Sequence, residues 1–357
     1  FGKFKMKKKV IHCTYLEEKI SSIYNHCEEE KMTALDENIP WEVYLHISAE
    51  RINSLNKFNL FWDRLKYYFQ IFKFTREYRF VLLRYIAADP FFALLLFIRG
   101  KYICTVHHTK EKIEILNKFS FSVQRIVKLF VELVFGSISR SFSKHLIVKT
   151  KEIGEHQVNR SLWKKKSDYI IYPNAGRRNE MVEDLRSETP SFLFVASILS
   201  QPWQGVDVML DLFKDYEGKY TLHVVGTAPE SLKKEILSNP KVQHHGLLNM
   251  REIRKLSYTC DVGLSCFALH RKNLKEACAL KVRDYLSFGL PVYLTYQDIF
   301  PSDFKFCRYG ESDIDQIIDY AKASKKWSKS EVMKLSEPYI SRKKIMMRVL
   351  NQLNILS

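Results

Sequence analysis

The sequence predicts an α/β protein made of two doubly wound domains. Short apolar runs of strand length alternate with helical segments of about 10–15 residues, a pattern typical of parallel sheets covered by helices on both faces. The chain has 357 residues, which is too long for one ordinary core. A polar, turn-rich segment at 173–191, PNAGRRNEMVEDLRSETPS, separates two series of such runs, as a linker would.

The predicted strands follow the chain in two groups. Before the linker they are KVIHCTY, WEVYLHI, FVLLRYI, YICTVHH, HLIVKT and YIIYPNA, and after it they are SFLFVAS, YTLHVVG, KVQHHG, CDVGLSC and PVYLTY. We therefore assign residues 1–178 to a first domain and 179–337 to a second. Residues 338–357 form a C-terminal helical segment that either ends the second domain or crosses back to the first.

Composition excludes several protein classes. With 46% hydrophobic and 27% charged residues, the chain is globular rather than disordered. Seven scattered cysteines without a C-x-x-C pair indicate a reducing compartment and argue against a disulfide framework or a zinc site. The basic start resembles no secretory signal, with Met6 as the expected natural start, and the longest apolar block, FFALLLFI, is too short to span a bilayer. We expect a cytoplasmic protein.

The net charge of +17 is concentrated in the first half. Residues 1–178 contain 32 basic and 18 acidic side chains, a net of +14. Such an excess suggests a polyanionic partner, either nucleic acid or the anionic inner face of a membrane. The aromatic and basic segment at 58–85 favours the membrane surface, although an ordinary helix with its aromatics in the core would look similar. No nucleic-acid-binding motif accompanies it, so we expect no nucleic acid partner.

Residues 260–294, CDVGLSCFALHRKNLKEACALKVRDYLSFGLPVYL, place a charged loop between two apolar runs. A short helix is predicted from about Ala279 to Phe288, because Gly289 and then Pro291 end it. A helix N-terminus carries unpaired backbone N–H groups and positive partial charge, which suit a phosphate. The start of this helix could therefore bind a phosphate-bearing ligand.

Charged residues around this helix start point to the same ligand class. Arg271 and Lys272 precede the helix and can neutralise a diphosphate. Glu276 and Asp284 can accept hydrogen bonds from sugar and ribose hydroxyls. The alternative is a plain surface loop in which Lys281 and Asp284 pair on the helix surface.

Glycines mark the other loops of the second half. Gly205, in VASILSQPWQGVDVMLDLF, lets the chain turn tightly and opens an amphipathic helix. Gly226 ends a strand at a point where backbone can approach a ligand closely, and Gly246 marks a later turn. Because ligands of such sheets bind at the loops after the strands, these glycines predict a ligand site.

The succession of motifs resembles the family 4 (group 1) glycosyltransferases of the GT-B fold. The matching motifs are YPNAG at Tyr172–Gly176, W-x-G-x-D at Trp203–Asp207, V-G at Val225–Gly226, H-G at His245–Gly246, L-H-R-K at Leu269–Lys272 and E-A-x-x-L-K-x-x-[ED]-Y-x-x-x-G-x-P at Glu276–Pro291. Each is weak alone, but together they are specific in order and spacing. The likeness covers roughly residues 190–300 and implies two Rossmann-like domains facing a central cleft. The L-H-R-K version resembles a bacterial subgroup among surface-polysaccharide enzymes.

The resemblance also implies a site. Glu276 would lie toward the donor sugar, and Asp284 would bind the nucleotide ribose. Backbone N–H groups of the three residues after Glu276 would meet the diphosphate. The implied nucleotide-sugar-binding residues are Gly205, Gly226, His270, Ala277, Cys278, Ala279, Leu280, Lys281 and Asp284, and the implied catalytic residues are Glu276, Arg271, Lys272 and His108.

The chain departs from the family pattern at three places. The second acid is Asp284 rather than glutamate, and Gln204 stands where lysine is common, with no arginine before it. The first half lacks the usual glycine-rich turn after its first strand. His107 and His108 end the run YICTVHH, and one of them would touch the donor sugar or the acceptor hydroxyl unless it is hydrogen-bonded within the fold.

We expect no cofactor and no metal. The D-x-D in ESDIDQ, residues 311–316, holds a divalent metal in other glycosyltransferases, but here it lies in an acidic helical patch typical of a solvated surface. Cations and a helix N-terminus already offer positive charge to a departing diphosphate.

The sequence therefore predicts a hexosyltransferase-type glycosyltransferase. It would move a sugar from a UDP- or GDP-linked donor to a lipid-linked saccharide in bacterial surface-polysaccharide biosynthesis, with the retention that the resemblance implies. It would be peripheral on the inner face of the cell membrane. The main alternative is a non-catalytic GT-B-like binding or scaffold protein, which the missing basic pair near Gln204 favours. A nucleic-acid binder is the third.

Overall fold

The computed structural model describes residues 9–19, 21–48, 56–118, 122–165, 168–177 and 182–355. The chain divides into two compact units. The first unit comprises Phe1–Pro173 and Ile345–Ser357, and the second comprises Asn174–Lys344. The boundaries expected from the sequence lie at 178/179 and 337/338.

The first unit is a six-stranded sheet flanked by helices. Its strands are β1 (Val10–Leu16), β2 (Trp41–Ile47), β3 (Phe80–Arg84), β4 (Ile103–His107), β5 (Leu146–Val148) and β6 (Tyr169–Ile171). Its helices are α1 (Ser21–Asp36), α2 (Lys57–Glu77), α3 (Pro90–Arg99), α4 (Glu111–Lys118), α5 (Val123–Phe142) and α6 (Lys151–Asn159).

The strand order of the first sheet is β2-β1-β3-β4-β5-β6, and every neighbouring pair is parallel. From β1 the chain moves outward to β2 and then returns to the other side of β1 to form β3. This reversal is a topological switch point, the position at which open parallel sheets bind ligands at the carboxyl ends of their strands.

The second unit repeats this architecture. Its strands are β7 (Ser191–Ile198), β8 (Thr221–Thr227), β9 (Val242–His244), β10 (Val262–Leu264), β11 (Val292–Leu294) and β12 (Cys307–Tyr309). Its helices are α7 (Val206–Lys214), α8 (Glu230–Leu237), α9 (Met250–Ser257), α10 (Leu280–Ser287), α11 (Ile314–Ser324) and α12 (Lys329–Ile340), and α13 (Arg342–Gln352) follows them.

The strand order of the second sheet is β12-β11-β10-β7-β8-β9, so its switch point lies between β7 and β10. One apolar core forms around Phe192, Phe194 and α7, and another includes the buried side of α10. Tyr285 anchors α10 to the sheet, because its hydroxyl accepts a hydrogen bond from the Val195 N–H at 2.8 Å. The start of α10 is thereby held at the switch point.

The predicted alternation of strands and helices is confirmed. All eleven predicted runs form strands, and the helix predicted from Ala279 to Phe288 is α10, Leu280–Ser287. Strand β12, which has three residues and an exposed central Arg308, was not predicted. The C-terminal helical segment was expected to begin at residue 338, whereas Pro338 lies inside α12 and α13 begins at Arg342.

All seven cysteines are buried and free. None of the helices in the described part of the chain has the length and apolarity needed to cross a membrane.

Candidate functional site

Two loops flank the switch point of the second sheet. The first follows β7 and passes through a 3₁₀ turn at Pro202–Gln204, and the second follows β10 and contains a 3₁₀ turn at Leu269–Lys272. The Phe267 N–H donates to the Gln204 carbonyl at 2.9 Å, so the two loops are in direct contact. The strand order thus joins segments that are far apart in the sequence.

Gly205 is needed where these loops meet. Its φ is +66°, a left-handed conformation that favours glycine, and an added Cβ would lie 2.6 Å from the Ala268 nitrogen. Gly205 also opens α7, whose predicted apolar face is buried at Val206, Met209, Leu210 and Phe213. The tight turn expected at Gly205 is confirmed.

Lys281 reaches across from α10 to the first loop. Its Nζ donates to Gln204 Oε1 at 2.8 Å and lies 4.1 Å from the centroid of the Phe194 ring. Burial lowers the pKa of Lys281. The alternative in which Lys281 pairs with Asp284 is therefore wrong. Gln204, at the position where the resembling family has lysine, instead accepts a hydrogen bond from a lysine of α10.

The start of α10 is available to an anion at some of the predicted backbone groups. The N-cap residue Ala279 provides no side-chain acceptor for the first turn, and Leu280 is exposed. The Ala277 N–H, which was predicted to meet the diphosphate, is not available to it, because this group already donates to the Gln297 carbonyl at 3.0 Å. Glu276, one residue earlier, pairs with Gln297 in a parallel bridge. This bridge fixes the backbone that carries Glu276 just ahead of the helix.

Cys278 is held by the segment that precedes the second sheet. The Asn174 N–H donates to Cys278 Sγ at 3.1 Å, and Asn174 Nδ2 donates to the Cys278 carbonyl at 2.5 Å. The Cys278 side chain is buried. Asn174 thus fixes the backbone that leads into α10.

Asp284 is half-buried and lies against Arg177, which was not among the predicted site residues. Arg177 Nε is 3.4 Å from Asp284 Oδ1. In the sequence, Arg177 belongs to the basic pair directly after YPNAG, and that pair does not indicate that Asp284 is the partner of Arg177. Arg177 and Asp284 together place a cation and a carboxylate beside α10.

The two basic residues assigned to phosphate have partners within the protein. Arg271 clamps the Asp207 carboxylate, with Nη1–Oδ1 at 2.9 Å and Nη2–Oδ2 at 2.7 Å, and Nη1 also donates to the Pro202 carbonyl. This hydrogen bonding lowers the pKa of Asp207. Lys272 Nζ lies 3.6 Å from the centroid of the Trp203 ring. Both side chains therefore tie the second loop to the first.

His270 and Gly226 were both predicted to bind the nucleotide sugar, but one is exposed and the other packs against a neighbouring strand. His270 is exposed beside Arg271. Gly226 has φ +145°, and a Cβ there would lie 1.8 Å from the Ala196 carbonyl oxygen. The close approach expected at Gly226 exists, but the approaching atom is Ala196 of the neighbouring strand. Gly226 therefore packs β8 against β7.

His108 lies in the first unit, whereas the other predicted site residues lie in the second. Its Nε2 is buried and has no hydrogen-bond partner among the described residues. Burial, followed by the charges of Arg84 and Lys149, lowers the pKa of His108 well below its usual range. Its neighbour His107 is structural, because Glu111 Oε1 and Thr105 Oγ1 lie 2.7 and 3.1 Å from its ring nitrogens.

The D-x-D motif belongs to a helix start. Asp313 is the N-cap of α11, and its carboxylate accepts the backbone N–H groups of Asp315 and Gln316. Within the described ranges, no group of three or more His, Cys, Asp and Glu side chains is arranged to hold a metal ion.

No family model and no curated protein matches this chain. Solved structures do match it. A glycosyltransferase from Rickettsia africae ESF-5 has a TM-score of 0.62 at 12% identity, over 99% of this chain and 99% of that chain. The lipopolysaccharide outer core galactosyltransferase WaaB in its apo form has a TM-score of 0.60 at 12% identity, over 98% and 100%. Anabaena Alr3699/HepE in complex with UDP has a TM-score of 0.56 at 13% identity, over 97% and 99%.

Likenesses at 12–13% identity show the fold. The chain has the GT-B fold, in which one chain carries two Rossmann-like α/β units. This confirms the fold class expected from the motifs.

Proposed function

We propose that this protein is a glycosyltransferase whose second unit binds a nucleotide-sugar donor. The observation that carries the proposal is the grouping at the second switch point, where α10 starts without a side-chain cap beside Lys281, Glu276 and Asp284. The fold supports it, because the matching structures include named glycosyltransferases and one of them holds UDP.

Each part of this grouping suits one part of the donor. The start of α10 offers N–H groups and positive partial charge to the diphosphate, and Lys281 adds an ammonium group next to it. We assign Asp284 to hydrogen bonds from the ribose hydroxyls and Glu276 to hydrogen bonds from the sugar hydroxyls. Because helix and ammonium already stabilise the charge of the departing diphosphate, we propose a reaction without a metal or other cofactor.

We further propose that the reaction retains the anomeric configuration. The bond between the sugar and the diphosphate breaks, and the acceptor oxygen forms the new bond on the same face. The acceptor proton passes to the departing phosphate oxygen, so no carboxylate base is needed. The resemblance in motifs supports this course.

The finer proposal is a lipid-linked saccharide acceptor at a membrane surface, in bacterial surface-polysaccharide biosynthesis. It is supported by an apolar face on three helices of the first unit, with side chains exposed by 36% to 76%. The face consists of Phe58, Phe61, Trp62 and Phe69 on α2, Phe91, Leu94, Phe97 and Ile98 on α3, and Val123, Ile126, Val127, Phe130, Leu133 and Val134 on α5. Exposed apolar surface of this extent marks an interaction site.

The apolar face is continuous from helix to helix. The rings of Phe61 and Phe91 are 5.5 Å apart and join α2 to α3, while Phe97 contacts Phe142 at the end of α5, 5.0 Å away. The opposite side of α2 is core, with Tyr67 and Ile71 buried. Helix α2 thus has one buried aromatic side and one exposed aromatic side.

The positive charge of the first half of the chain is the basis for the partner that we propose for this apolar face. The net of +14 over residues 1–178 favours anionic lipid over a neutral or cationic partner. Peripheral binding to the inner face of the cell membrane would bring the first unit to a lipid-linked acceptor. The protein WaaG, which shares the fold, is described as involved in lipopolysaccharide biosynthesis.

A nucleotide and activity screen tests the donor proposal. We expect UDP or GDP, or one of their sugars, to raise the melting temperature, and the matching donor to be hydrolysed slowly without acceptor. Glu276→Ala should keep the melting temperature and lose about 100-fold or more in turnover. The control Glu235→Ala changes an exposed acid of α8 and should behave as wild type. Near-normal turnover of Glu276→Ala would refute the assignment, and no response to any nucleotide would favour the scaffold alternative.

Vesicle sedimentation tests the membrane proposal. We expect binding to phosphatidylglycerol vesicles and little binding to phosphatidylcholine vesicles. Phe130→Asp should weaken binding about tenfold or more, since burying one such side chain contributes about 1.5–3 kcal/mol. The control Leu237→Asp alters an exposed apolar residue of the second unit. Equal sedimentation of Phe130→Asp and wild type would contradict the proposal.

A further inference from the structure

A cavity of about 330 Å³ lies between helices α2 and α3 of the first unit. Glu17, directly after β1, and Asp89, in the loop after β3, both line it. The strands β1 and β3 are neighbours, and the chain leaves them toward opposite sides of the sheet. The cavity therefore lies at the switch point of the first sheet, and its position and size are typical of a small-molecule site.

The larger part of the cavity wall is apolar. It consists of Leu60, Phe61 and Leu65 of α2 and of Ala88, Pro90 and Phe91 in and just before α3. The rings of Phe61 and Phe91 also belong to the exposed apolar face of the first unit and are 5.5 Å apart. The cavity is therefore continuous with that face, so a hydrocarbon chain can extend from one into the other.

The remaining part of the wall carries hydrogen-bonding groups. The Arg64 guanidinium donates to Glu17 Oε1 at 2.7 Å and to Asp89 Oδ2 at 3.3 Å. Asp89 is buried and already accepts the Tyr68 hydroxyl and two backbone N–H groups at the start of α3. The side chains of Arg64 and Glu17 are 28% and 54% exposed. A ligand in the cavity thus meets both a donor and an acceptor.

The charges of this polar wall disfavour an anionic ligand. Glu17 and Asp89 carry two negative charges against the single positive charge of Arg64. Hydroxyl groups both donate and accept, so they can bond to the guanidinium and to the Glu17 carboxylate at once. An uncharged, hydroxyl-bearing head group joined to an apolar chain therefore matches both parts of the wall.

The loop that joins the two parts of the wall has a strained backbone. Ala88 has a φ of +55°, in the left-handed region that residues other than glycine rarely adopt. Its N–H donates to Glu132 Oε2 at 2.9 Å, and the Tyr85 hydroxyl donates to the same oxygen at 2.9 Å. Glu132 is fully buried in α5. Strain that the surrounding structure maintains is typical of ligand sites, and here it gives the cavity a preformed wall.

We propose that this cavity binds a glycolipid at the junction of its sugar and its hydrocarbon chain. The chain lies along Phe61 and Phe91 toward the apolar face, and the sugar hydroxyls bond to Arg64 and Glu17. The ligand class is an alkyl or prenyl glycoside whose sugar is uncharged. This inference deepens the acceptor part of the proposed function and rests on it for the role of the ligand.

Calorimetry of the full chain with three soluble probes tests the proposal. The probes are octyl β-D-glucopyranoside below its micelle concentration, methyl β-D-glucopyranoside and octanoate. We expect octyl glucoside to bind at least tenfold more tightly than either of the others, because only octyl glucoside supplies both the chain and the hydroxyls. Octanoate or methyl glucoside binding as tight as that of octyl glucoside would overturn the proposal.

Two substitutions of leucine by tryptophan locate the binding. Leu60→Trp fills the cavity and should weaken octyl glucoside binding about tenfold or more. The matched control Leu94→Trp changes an exposed residue of α3 that belongs to the apolar face but lies outside the described lining of the cavity, and it should bind as wild type. Equal affinities of the two variants would place the probe on the open apolar face and contradict the inference.

Charge substitutions test the polar wall. Arg64→Gln should weaken octyl glucoside binding about tenfold, whereas Lys66→Gln, the same change of charge at an exposed position of α2, should have no effect. Glu17→Gln should weaken octyl glucoside binding severalfold and strengthen octanoate binding. Because Glu17 is exposed, this variant should keep the wild-type melting temperature, and it decides the matter if Arg64→Gln is less stable. Unchanged binding of both probes in Glu17→Gln would refute the polar contacts.

UDP titration separates this cavity from the candidate donor site. Leu60→Trp and Glu17→Gln should bind UDP as wild type, and Lys281→Met should weaken UDP binding while octyl glucoside binding stays unchanged. Cavity-dependent octyl glucoside binding without any UDP binding would leave this inference standing and count against the donor proposal. Weaker octyl glucoside binding in Lys281→Met than in Leu60→Trp would place the probe in the donor site and overturn the inference.

Discussion

Replacing Gly205 by alanine tests whether contact between the two switch-point loops holds the candidate donor site together. Alanine at φ +66° costs about 1 kcal/mol in backbone conformation. The new Cβ would also lie 2.6 Å from the Ala268 nitrogen and 2.8 Å from the Phe267 carbonyl carbon, closer than such contacts allow. Relief of that overlap costs about 1–3 kcal/mol more, so we expect a total loss of about 2–4 kcal/mol.

Gly246 provides a matched control within the same unit. Its φ is +64°, nearly that of Gly205, but a Cβ there would meet nothing within 4 Å. Gly246→Ala should therefore show the conformational cost alone, about 1 kcal/mol. The difference between the two variants isolates the contact between the loops.

Melting curves followed by UDP titration measure the effect. For a domain of this size, 1 kcal/mol corresponds to about 2–4 °C. We expect a decrease of about 4–16 °C for Gly205→Ala and about 2–4 °C for Gly246→Ala. Weaker UDP binding should accompany only the first, because Gln204 and Lys281 would be pushed apart. Equal decreases in both variants, or unchanged UDP binding in Gly205→Ala, would refute the reasoning.

Three further predictions concern charged groups of the second unit. Asp298 forms a fully buried ion pair with Arg283, whose guanidinium donates two hydrogen bonds to it at 2.5 Å. Because Asp298→Asn breaks this pair, we expect the free energy of unfolding, measured by heat or urea, to fall by about 3–5 kcal/mol. Burial lowers the pKa of His223 to about 4. The neutral, buried imidazole therefore contributes to the free energy of unfolding above pH 6.5, and this contribution is lost as the pH falls toward 4. In a plot of the free energy of unfolding against pH, His223→Gln should have a smaller slope between these two values. Arg271→Gln removes an exposed clamp on Asp207 and should lower the melting temperature only slightly, with less effect at high salt, and a large decrease would contradict its surface position.

The order of strands and helices could be predicted because its signals are local. Apolar runs and their helical neighbours identified every strand except β12, where an exposed Arg308 interrupts three residues. Gly289 and Pro291 likewise bounded α10 within one residue at each end. Burial of a strand or a helix face requires apolar residues at fixed spacing, and that spacing is visible in the chain itself.

The contents of the candidate site were predicted less completely. The residue types of the loop after β10 indicated an anion and hydroxyl site, but they did not reveal that Arg271 clamps Asp207 or that Ala277 is bonded to Gln297. Arg177 was absent from the prediction, because its partner Asp284 lies over a hundred residues further on.

The amino-acid sequence alone determined that this chain forms two α/β sheets and which loops follow their strands, because hydrophobic periodicity and glycine geometry act over a few residues. Only the tertiary structure decided which charged side chain meets which partner. Strand order brings Lys281 to Gln204 across 77 positions of the chain. Electrostatic interactions depend on distance in space and on exclusion of water, and folding sets both.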